Sequence, residues 1–409
     1  MIKEEEGSGF LNYAIKFLRR QESPFKVNML RNVTQSLAMN LTYQYQSIYM
    51  VSLGASPLIL GYINSISGVI NASLSIPGGA LADRLGIKRI LIFVLSFYVL
   101  SSALFSFSYL WQTAAAALLV FTVAFTLDRT TCPMICGSTL SSEERVTGMG
   151  FCDTISFAPQ IVAPLIGAAL ITYFGGMNAK GIRPVFYIQT ALMLVPLLVI
   201  WLKFTNPRHH VIGRKGSVFS NIRNVVQEGS MVKRWIILTM LNSFWWQVAF
   251  YIPLFAAEIK GANQFIVGGM STAATLTSVG LAIPLGRLAD RKGRKNMMTI
   301  YGSLVGVSYL LLIYAPNNLI LLLAGFLNGF TMLNGQTQTA TAVELVPRQY
   351  LGSWLGLLGF FRGLVSIVSP IISGFLWDII SPSSVFLLLL LTQVGALITL
   401  WTIPSSITK

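Results

Sequence analysis

Charge is what this sequence has least of. Aspartate, glutamate, lysine and arginine make up 11% of its 409 residues and hydrophobic residues 54%, where a soluble domain carries about a quarter charged residues. A water-soluble globule is thereby excluded. Cysteine is almost as scarce: Cys132, Cys136 and Cys152 are the whole complement, all in or beside apolar runs rather than external loops. That argues against a structural disulfide and leaves them as small packing residues rather than metal ligands. The two histidines, His209 and His210, adjoin in a basic stretch, so no zinc site is legible. No Gly-x4-Gly-Lys-Ser/Thr phosphate loop occurs, and no soluble domain is left to hold one. Nucleotide-driven chemistry is thereby excluded, no cofactor or metal is expected, and the chain does not read as an enzyme.

Apolar runs of the roughly 20 residues needed to cross a hydrocarbon core are what the sequence has in abundance. They predict an all-α integral membrane protein with helices near 28–53, 58–81, 89–109, 111–139, 147–174, 183–204, 233–257, 265–288, 295–315, 317–343, 351–377 and 384–403. The formal charge of +15 could signal nucleic acid, but its distribution does not. With the first end inside, 24 of the 29 lysines and arginines fall on the same side of the membrane, which is the positive-inside bias. Both termini are thus expected in the cytoplasm, with the lipid bilayer and no nucleic acid as partner. Lys3 and Glu4 to Glu6 precede a charged stretch unlike a cleavable signal peptide. There Phe10, Leu11, Ala14, Ile15 and Leu18 share a helical face that either lies on the inner leaflet or belongs to a disordered tail.

The chain repeats itself. Gly79-Ala-Leu-Ala-Asp83-Arg84-Leu-Gly86-Ile-Lys88-Arg89 matches Gly286-Arg-Leu-Ala-Asp290-Arg291-Lys-Gly293-Arg294-Lys295, with the aspartates 207 residues apart, and Pro164 and Pro370 are 206 apart. Two homologous halves of six helices follow, divided as a cytoplasmic segment 1–27, a bundle 28–204, a linker 205–232, a second bundle 233–403 and a tail 404–409. At these residues the sequence resembles the major facilitator superfamily, prokaryotic type, over 28 to 403. The resemblance implies twelve transmembrane helices in two pseudosymmetric bundles, alternating access to a midplane site, and a monomer in the plasma membrane. Glycines at the repeated motif allow tight turns, and Asp83 can accept hydrogen bonds at a helix N-terminus; the family places that neighbour in helix 11. Gly79, Asp83, Arg84, Gly86, Lys88, Arg89 and Gly286, Asp290, Arg291, Gly293 are accordingly expected to form a cytoplasmic gate, the alternative being an ordinary positive-inside turn. Helix 5 carries a degenerate form of an antiporter glycine-proline motif at Gly150, Pro159, Pro164 and Gly167.

Ionisable residues within a membrane are functional candidates by default. Asp128 and Asp153 are candidates for proton coupling, Arg129 and Arg362 for binding an anion. For Asp128 and Arg129 a structural network near the inner gate is an equal alternative. Arg31, Glu258 and Asp378 are read as surface charges. The resemblance puts helices 1, 4, 7 and 10 around the cavity, where Asn40, Tyr43, Gln44, Trp245, Trp246, Gln247, Tyr251, Asn334 and Gln338 supply amides and rings for a small-molecule solute. Two carrier readings stand: proton-coupled efflux of an amphiphilic compound, and uptake or exchange of an organic anion. A channel or a transport-inactive receptor is the reading from another class. Asp83→Asn is expected to abolish transport at normal expression, checked by solute flux in proteoliposomes.

Overall fold

The computed structural model describes residues 20–140, 145–205, 230–346 and 351–404; for 75–85, 130, 132, 133, 136–138, 145–151, 153, 154, 230, 283 and 351–353 it describes the backbone alone. Among the described residues, nine helices are long and apolar enough to cross a bilayer, and two bent pairs bring the number to eleven. The twelfth is the first. Span 1 runs as Ser23–Asn40, a 3-10 turn at Tyr43–Tyr45, and Gln46–Ser52. Asn28, Arg31, Gln35, Asn40 and Gln44 interrupt its apolar character, so its burial against other helices, not its hydropathy, holds it in place.

The remaining spans are Pro57–Leu85 (span 2), Ile87–Ser106 (3), Trp111–Thr139 (4), Arg145–Tyr173 (5) and Ala179–Lys203 (6). In the second half come Ser230–Val248 with Tyr251–Glu258 (7), Gln264–Gly280 with Ala282–Lys292 (8) and Arg294–Tyr314 (9). Span 10 is Asn318–Asn328 with Phe330–Glu344, span 11 is Leu351–Phe375 ending in a π turn at Leu376–Ile380, and span 12 is Pro382–Trp401. The largest departure from the sequence expectation is at the start of span 1, which begins at Ser23 rather than 28. An even number of spans brings both chain ends to one side, the near side; the loop between spans 1 and 2 lies on the far side.

Local chemistry sets the helix ends. The Asn178 side chain accepts from the amides of Lys180 and Gly181 at 2.9 and 3.0 Å, Asn263 from that of Ile266 at 3.0 Å, and Asn317 from that of Ile320 at 3.1 Å, each satisfying an amide the helix leaves open. Gly86 and Gly293 turn the chain between spans 2 and 3 and between spans 8 and 9 with φ of 81° and 90°. Only glycine adopts that conformation without strain, which accounts for the second glycine in each copy of the motif. Cations on the far side also close helices: Lys260 Nζ donates to the Ile313 carbonyl at 2.5 Å, at the end of span 9. Arg183 Nε donates to Tyr49 Oη at 3.2 Å and the Ser108 carbonyl at 3.1 Å, with its guanidinium 4.1 Å from the Tyr109 ring centre.

Within the first half, span 1 packs on spans 5 and 6 and span 3 on spans 4 and 6; in the second, span 7 packs on 11 and 12 and span 9 on 10 and 12. The halves meet where span 2 lies along span 11 and span 5 along span 8. Without a hydrophobic drive between helices in lipid, close approach depends on small residues. A Cβ on Gly61 would lie 2.4 Å from the Pro370 carbonyl oxygen, and one on Gly68 2.6 Å from that of Ser366. Inside the first half, a Cβ on Gly167 would lie 2.1 Å from the Leu41 carbonyl oxygen. The obstacle is backbone and cannot swing away, so Gly167→Ala is expected to destabilise by about 1–3 kcal/mol. Gly306→Ala, whose methyl would meet Leu390 at an ordinary 3.5 Å, is the control. Unfolding midpoints in detergent check the pair: several degrees lower for the first, unchanged or higher for the second.

Candidate functional site

Spans 1 and 7 break at corresponding places, Leu41–Tyr45 and Ala249–Phe250, the second with a bend of 49°. Interrupted helices at membrane depth are tolerated where the freed backbone lines a cavity. Between these breaks lies a cavity of about 340 Å³, the size of a small-molecule site. Tyr43, Gln44, Trp245, Trp246 and Gln247 line it, as their sequence positions suggest, together with Ser47, Phe250 and Asn328. Span 4 contributes Leu118, Phe121, Thr122 and Phe125. No lining residue is an acid, a lysine, an arginine or a histidine. The Trp245 and Trp246 rings meet edge to face with centroids 4.8 Å apart, a rigid aromatic corner. Among the described residues, Gln44 Oε1, Ser67 Oγ and Trp245 Nε1 are buried in this wall without a hydrogen-bond partner. They offer an acceptor, a hydroxyl and a donor to whatever enters.

Span 2 was not anticipated. Asn64, Ser67, Gly68 and Asn71 line the cavity at the i, i+3, i+4, i+7 spacing of one helical face. That polar stripe in an apolar run was a signal available in the sequence, and the expectation of spans 1, 4, 7 and 10 as walls passed over it.

Asp128 lies outside the cavity, in a buried network on its near side. Its carboxylate pairs with Arg31 of span 1, accepts from Gln35 Nε2 at 2.8 Å and Thr131 Oγ1 at 3.1 Å, and takes a longer contact from Tyr98 Oη at 3.4 Å. Arg31, expected at a surface, is 2% exposed and is the counterion that neutralises Asp128. The charges join span 1 to span 4, with span 3 through Tyr98. The second half joins the corresponding spans without charge. Gln338 of span 10 donates to Thr239 Oγ1 at 3.0 Å and accepts from Asn242 Nδ2 at 3.2 Å, both on span 7.

Four other sequence candidates are placed away from the cavity wall. Asn40 donates back to the Ser36 carbonyl at 2.8 Å, and Asn334 and Gln338 are buried between helices. Tyr251 is 0% exposed, stacks on Trp377 with centroids 5.3 Å apart, and donates to the Pro57 carbonyl at 2.7 Å. The side chains of Asp83, Arg84 and Asp153 and the surroundings of Gly79 and Gly150 lie outside the described residues, as do residues 1–19 of the N-terminal segment and 206–229 of the linker. Of the second signature copy, Asp290 accepts from Arg294 Nε at 3.3 Å, and Arg294 pairs with Glu344 of span 10 at 2.7 Å; Arg291 is exposed. These contacts stay within the second half.

Arg129 and Arg362 stand apart from both networks. Leu118, Phe121, Thr122 and Phe125 mark the cavity face of span 4, and Arg129 continues that face one turn nearer the chain ends, its guanidinium 5.8 Å from the Phe125 ring centre. Arg362 of span 11 precedes Gly363, whose Cβ would meet Ala72 beside the cavity-lining Asn71. Both arginines are exposed, neither has an acidic partner among the described residues, and each half contributes one.

A sequence model of the family described as Major Facilitator Superfamily matches residues 32–283 and 258–408. The chain is 23% identical over 370 residues to a protein of Escherichia coli described as the probable galactarate/D-glucarate transporter GarP, covering 79% of this chain and 81% of that one. It is 32% identical over 149 residues to the class B tetracycline resistance protein of Escherichia coli, covering 36% of each. A crystal structure of a mutant nucleoside transporter NupG superposes with a TM-score of 0.77 at 14% identity, over 92% of this chain and 98% of that one.

Removing one member of a buried ion pair leaves the other uncompensated, at about 3–5 kcal/mol. Asp128→Asn is therefore expected to lower the unfolding midpoint sharply, and Arg31→Met combined with Asp128→Leu to recover most of the loss. Thermal unfolding of the single and double variants checks it; a stable Asp128→Asn protein would contradict a structural role for the pair.

Proposed function

The chain belongs to the Major Facilitator Superfamily and is a membrane transporter of small molecules rather than an enzyme, and from that premise we propose that it carries an organic anion by alternating access. The observation supporting this reading is the pair Arg129 and Arg362, two guanidiniums within the membrane-spanning region, one from each half, exposed beside the cavity and without carboxylate partners among the described residues. Ionisable groups at such depth persist where they line a path for an ion or a charged solute. A guanidinium fork matches a carboxylate in shape and charge. The amides of Gln44, Asn64 and Gln247 and the free Ser67 and Trp245 polar atoms suit a hydroxylated or ring-bearing body behind the carboxylate. The similarity to a relative described as a probable galactarate/D-glucarate transporter points the same way. In this reading the near side faces the cytoplasm of a plasma membrane and the monomer is the working unit.

The second reading is proton-coupled export of an uncharged or amphiphilic compound, favoured by a cavity wall that carries aromatic rings and no ionised side chain. Asp128 suits the proton role poorly because Arg31 already neutralises it.

Trp245 and Trp246 in the cavity wall provide the test. Purified protein is titrated with hydroxycarboxylates, nucleosides and organic cations while tryptophan fluorescence is followed, and counterflow is measured with every solute that binds. Carboxylates are expected to bind and to show counterflow, and Arg129→Gln and Arg362→Gln each to weaken their binding by about tenfold or more, the loss of one charge-assisted hydrogen bond. Binding of nucleosides or cations alone, or unchanged carboxylate affinity in both variants, would overturn the anion reading.

A further inference from the structure

The hydrogen bonds described between the two halves lie at the far ends or in the far halves of the spans, and they form two sets that the internal repeat superimposes. In the first set Tyr45, at the break of span 1, donates to the Gln264 carbonyl at the start of span 8 at 2.8 Å. Gln264 Nε2 then donates to Thr172 Oγ1 at the end of span 5 at 2.6 Å, and Thr272 Oγ1 to the Ile161 carbonyl at 2.9 Å. In the second, Tyr251, at the break of span 7, donates to the Pro57 carbonyl at the start of span 2 at 2.7 Å. The Leu58 amide donates to Asp378 Oδ2 at the end of span 11 at 3.2 Å, and Ser65 Oγ to the Ile367 carbonyl at 2.6 Å. Adding 206 or 207 to the residue numbers carries Tyr45 to Tyr251, Ile161 to Ile367, Thr172 to Asp378, Pro57 to Gln264 and Ser65 to Thr272. The same shift carries Gly61 to Gly268. A Cβ on Gly268 would lie 2.8 Å from Tyr45 Oη, and one on Gly61 3.3 Å from Tyr251 Oη. The far-side closure is one latch, present twice.

The copies differ in what remains when they open. A phenol has one proton to donate. Tyr45 Oη has a second acceptor within its own half, the Pro164 carbonyl at 3.2 Å, so it retains a partner when the halves separate. The acceptor described for Tyr251 Oη is Pro57, in the other half. Beside it, where the first copy has the neutral Thr172, stands the carboxylate of Asp378, accepting an amide at the N-terminus of span 2, where the helix dipole favours negative charge. Both tyrosines are 0% exposed, and neither lines the cavity.

We propose that Tyr45 and Tyr251 are the paired gating residues of the carrier, and that the Tyr251 latch sets how often the far side opens. The proposal stands apart from the identity of the solute. The test begins with a full-length protein made cysteine-free at Cys132, Cys136 and Cys152 and carrying Ser47→Cys in the cavity wall. It is reconstituted without any solute and exposed on the far side to a membrane-impermeant thiol reagent. Tyr251→Phe is expected to speed labelling about five- to tenfold, the effect of losing one buried hydrogen bond, and Tyr45→Phe less than twofold. Tyr301→Phe, which loses a buried bond to the Leu285 carbonyl within one half, is expected to change nothing. Asp378→Thr weakens the same latch without touching a tyrosine and is expected to speed labelling as well, and unfolding midpoints show that each variant is folded. Labelling of folded Tyr251→Phe and Asp378→Thr at the parent rate, or a larger effect from Tyr45→Phe than from Tyr251→Phe, would overturn the proposal.

Discussion

Inside a bilayer every peptide group must find its partner within the protein, because hydrocarbon offers none. Continuous helices meet that requirement by themselves; a chain that leaves the helix must line a cavity or lean on a neighbour. Here spans 1 and 7 leave it at corresponding points, and the other features of the molecule are arranged around those two interruptions. The turn at Tyr43–Tyr45 delivers Tyr43 and Gln44 to the cavity and Tyr45 to the opposite half. The break after Val248 delivers Ala249 and Phe250 to the cavity and the next residue, Tyr251, to the opposite half. Recognition and closure thus come from successive residues of the same two breaks, which gives an event in the cavity a short mechanical route to the latch.

The two halves hold their first and fourth spans together by different chemistry. Arg31 and Asp128 use opposite charges in the first, and Gln338, Thr239 and Asn242 use neutral amides and a hydroxyl in the second. A shift of 206 carries Asp128 to Asn334, so the acid of one half has the matching amide in the other. Both solutions pair buried polar groups, but loss of a single partner costs more in the charged one. Arg129 and Arg362 follow neither pattern, since their repeat partners are Gly335 and Ser156. They break the symmetry of the repeat, while the far-side contacts between the halves keep it.

Much of this architecture was legible in the sequence. Hydrophobic length fixes the spans, and the aspartate and proline repeats give the two halves, because a duplication leaves its register in the numbering. Tyr43, Gln44 and Trp245 to Gln247 were legible as cavity residues from their polar and aromatic character in otherwise apolar runs. What was not legible depends on distant pairing. Arg31 looks like an ordinary near-surface cation until Asp128, 97 positions later, is brought against it. Tyr251 looks like one more ring in an aromatic cluster until its hydroxyl is found on Pro57, 194 positions away. The span 2 stripe of Asn64, Ser67 and Asn71 is present in the letters, but the family resemblance nominates only spans 1, 4, 7 and 10 as cavity walls.

Spans 2, 4 and 5 are each 29 residues long, about 43 Å at 1.5 Å per residue, against a hydrocarbon core of roughly 30 Å. Spans 2 and 5 are held to the other half along their far halves, as far as Ala72 and Ile161, so each is an arm pivoted near its middle that continues toward the chain ends. A rotation of roughly twenty degrees about that point would sweep the near-side end of such an arm through about 7 Å while the contacts on the far side barely move. Leverage of this kind lets the carrier open a passage by tilting rigid helices, without melting a turn of any of them.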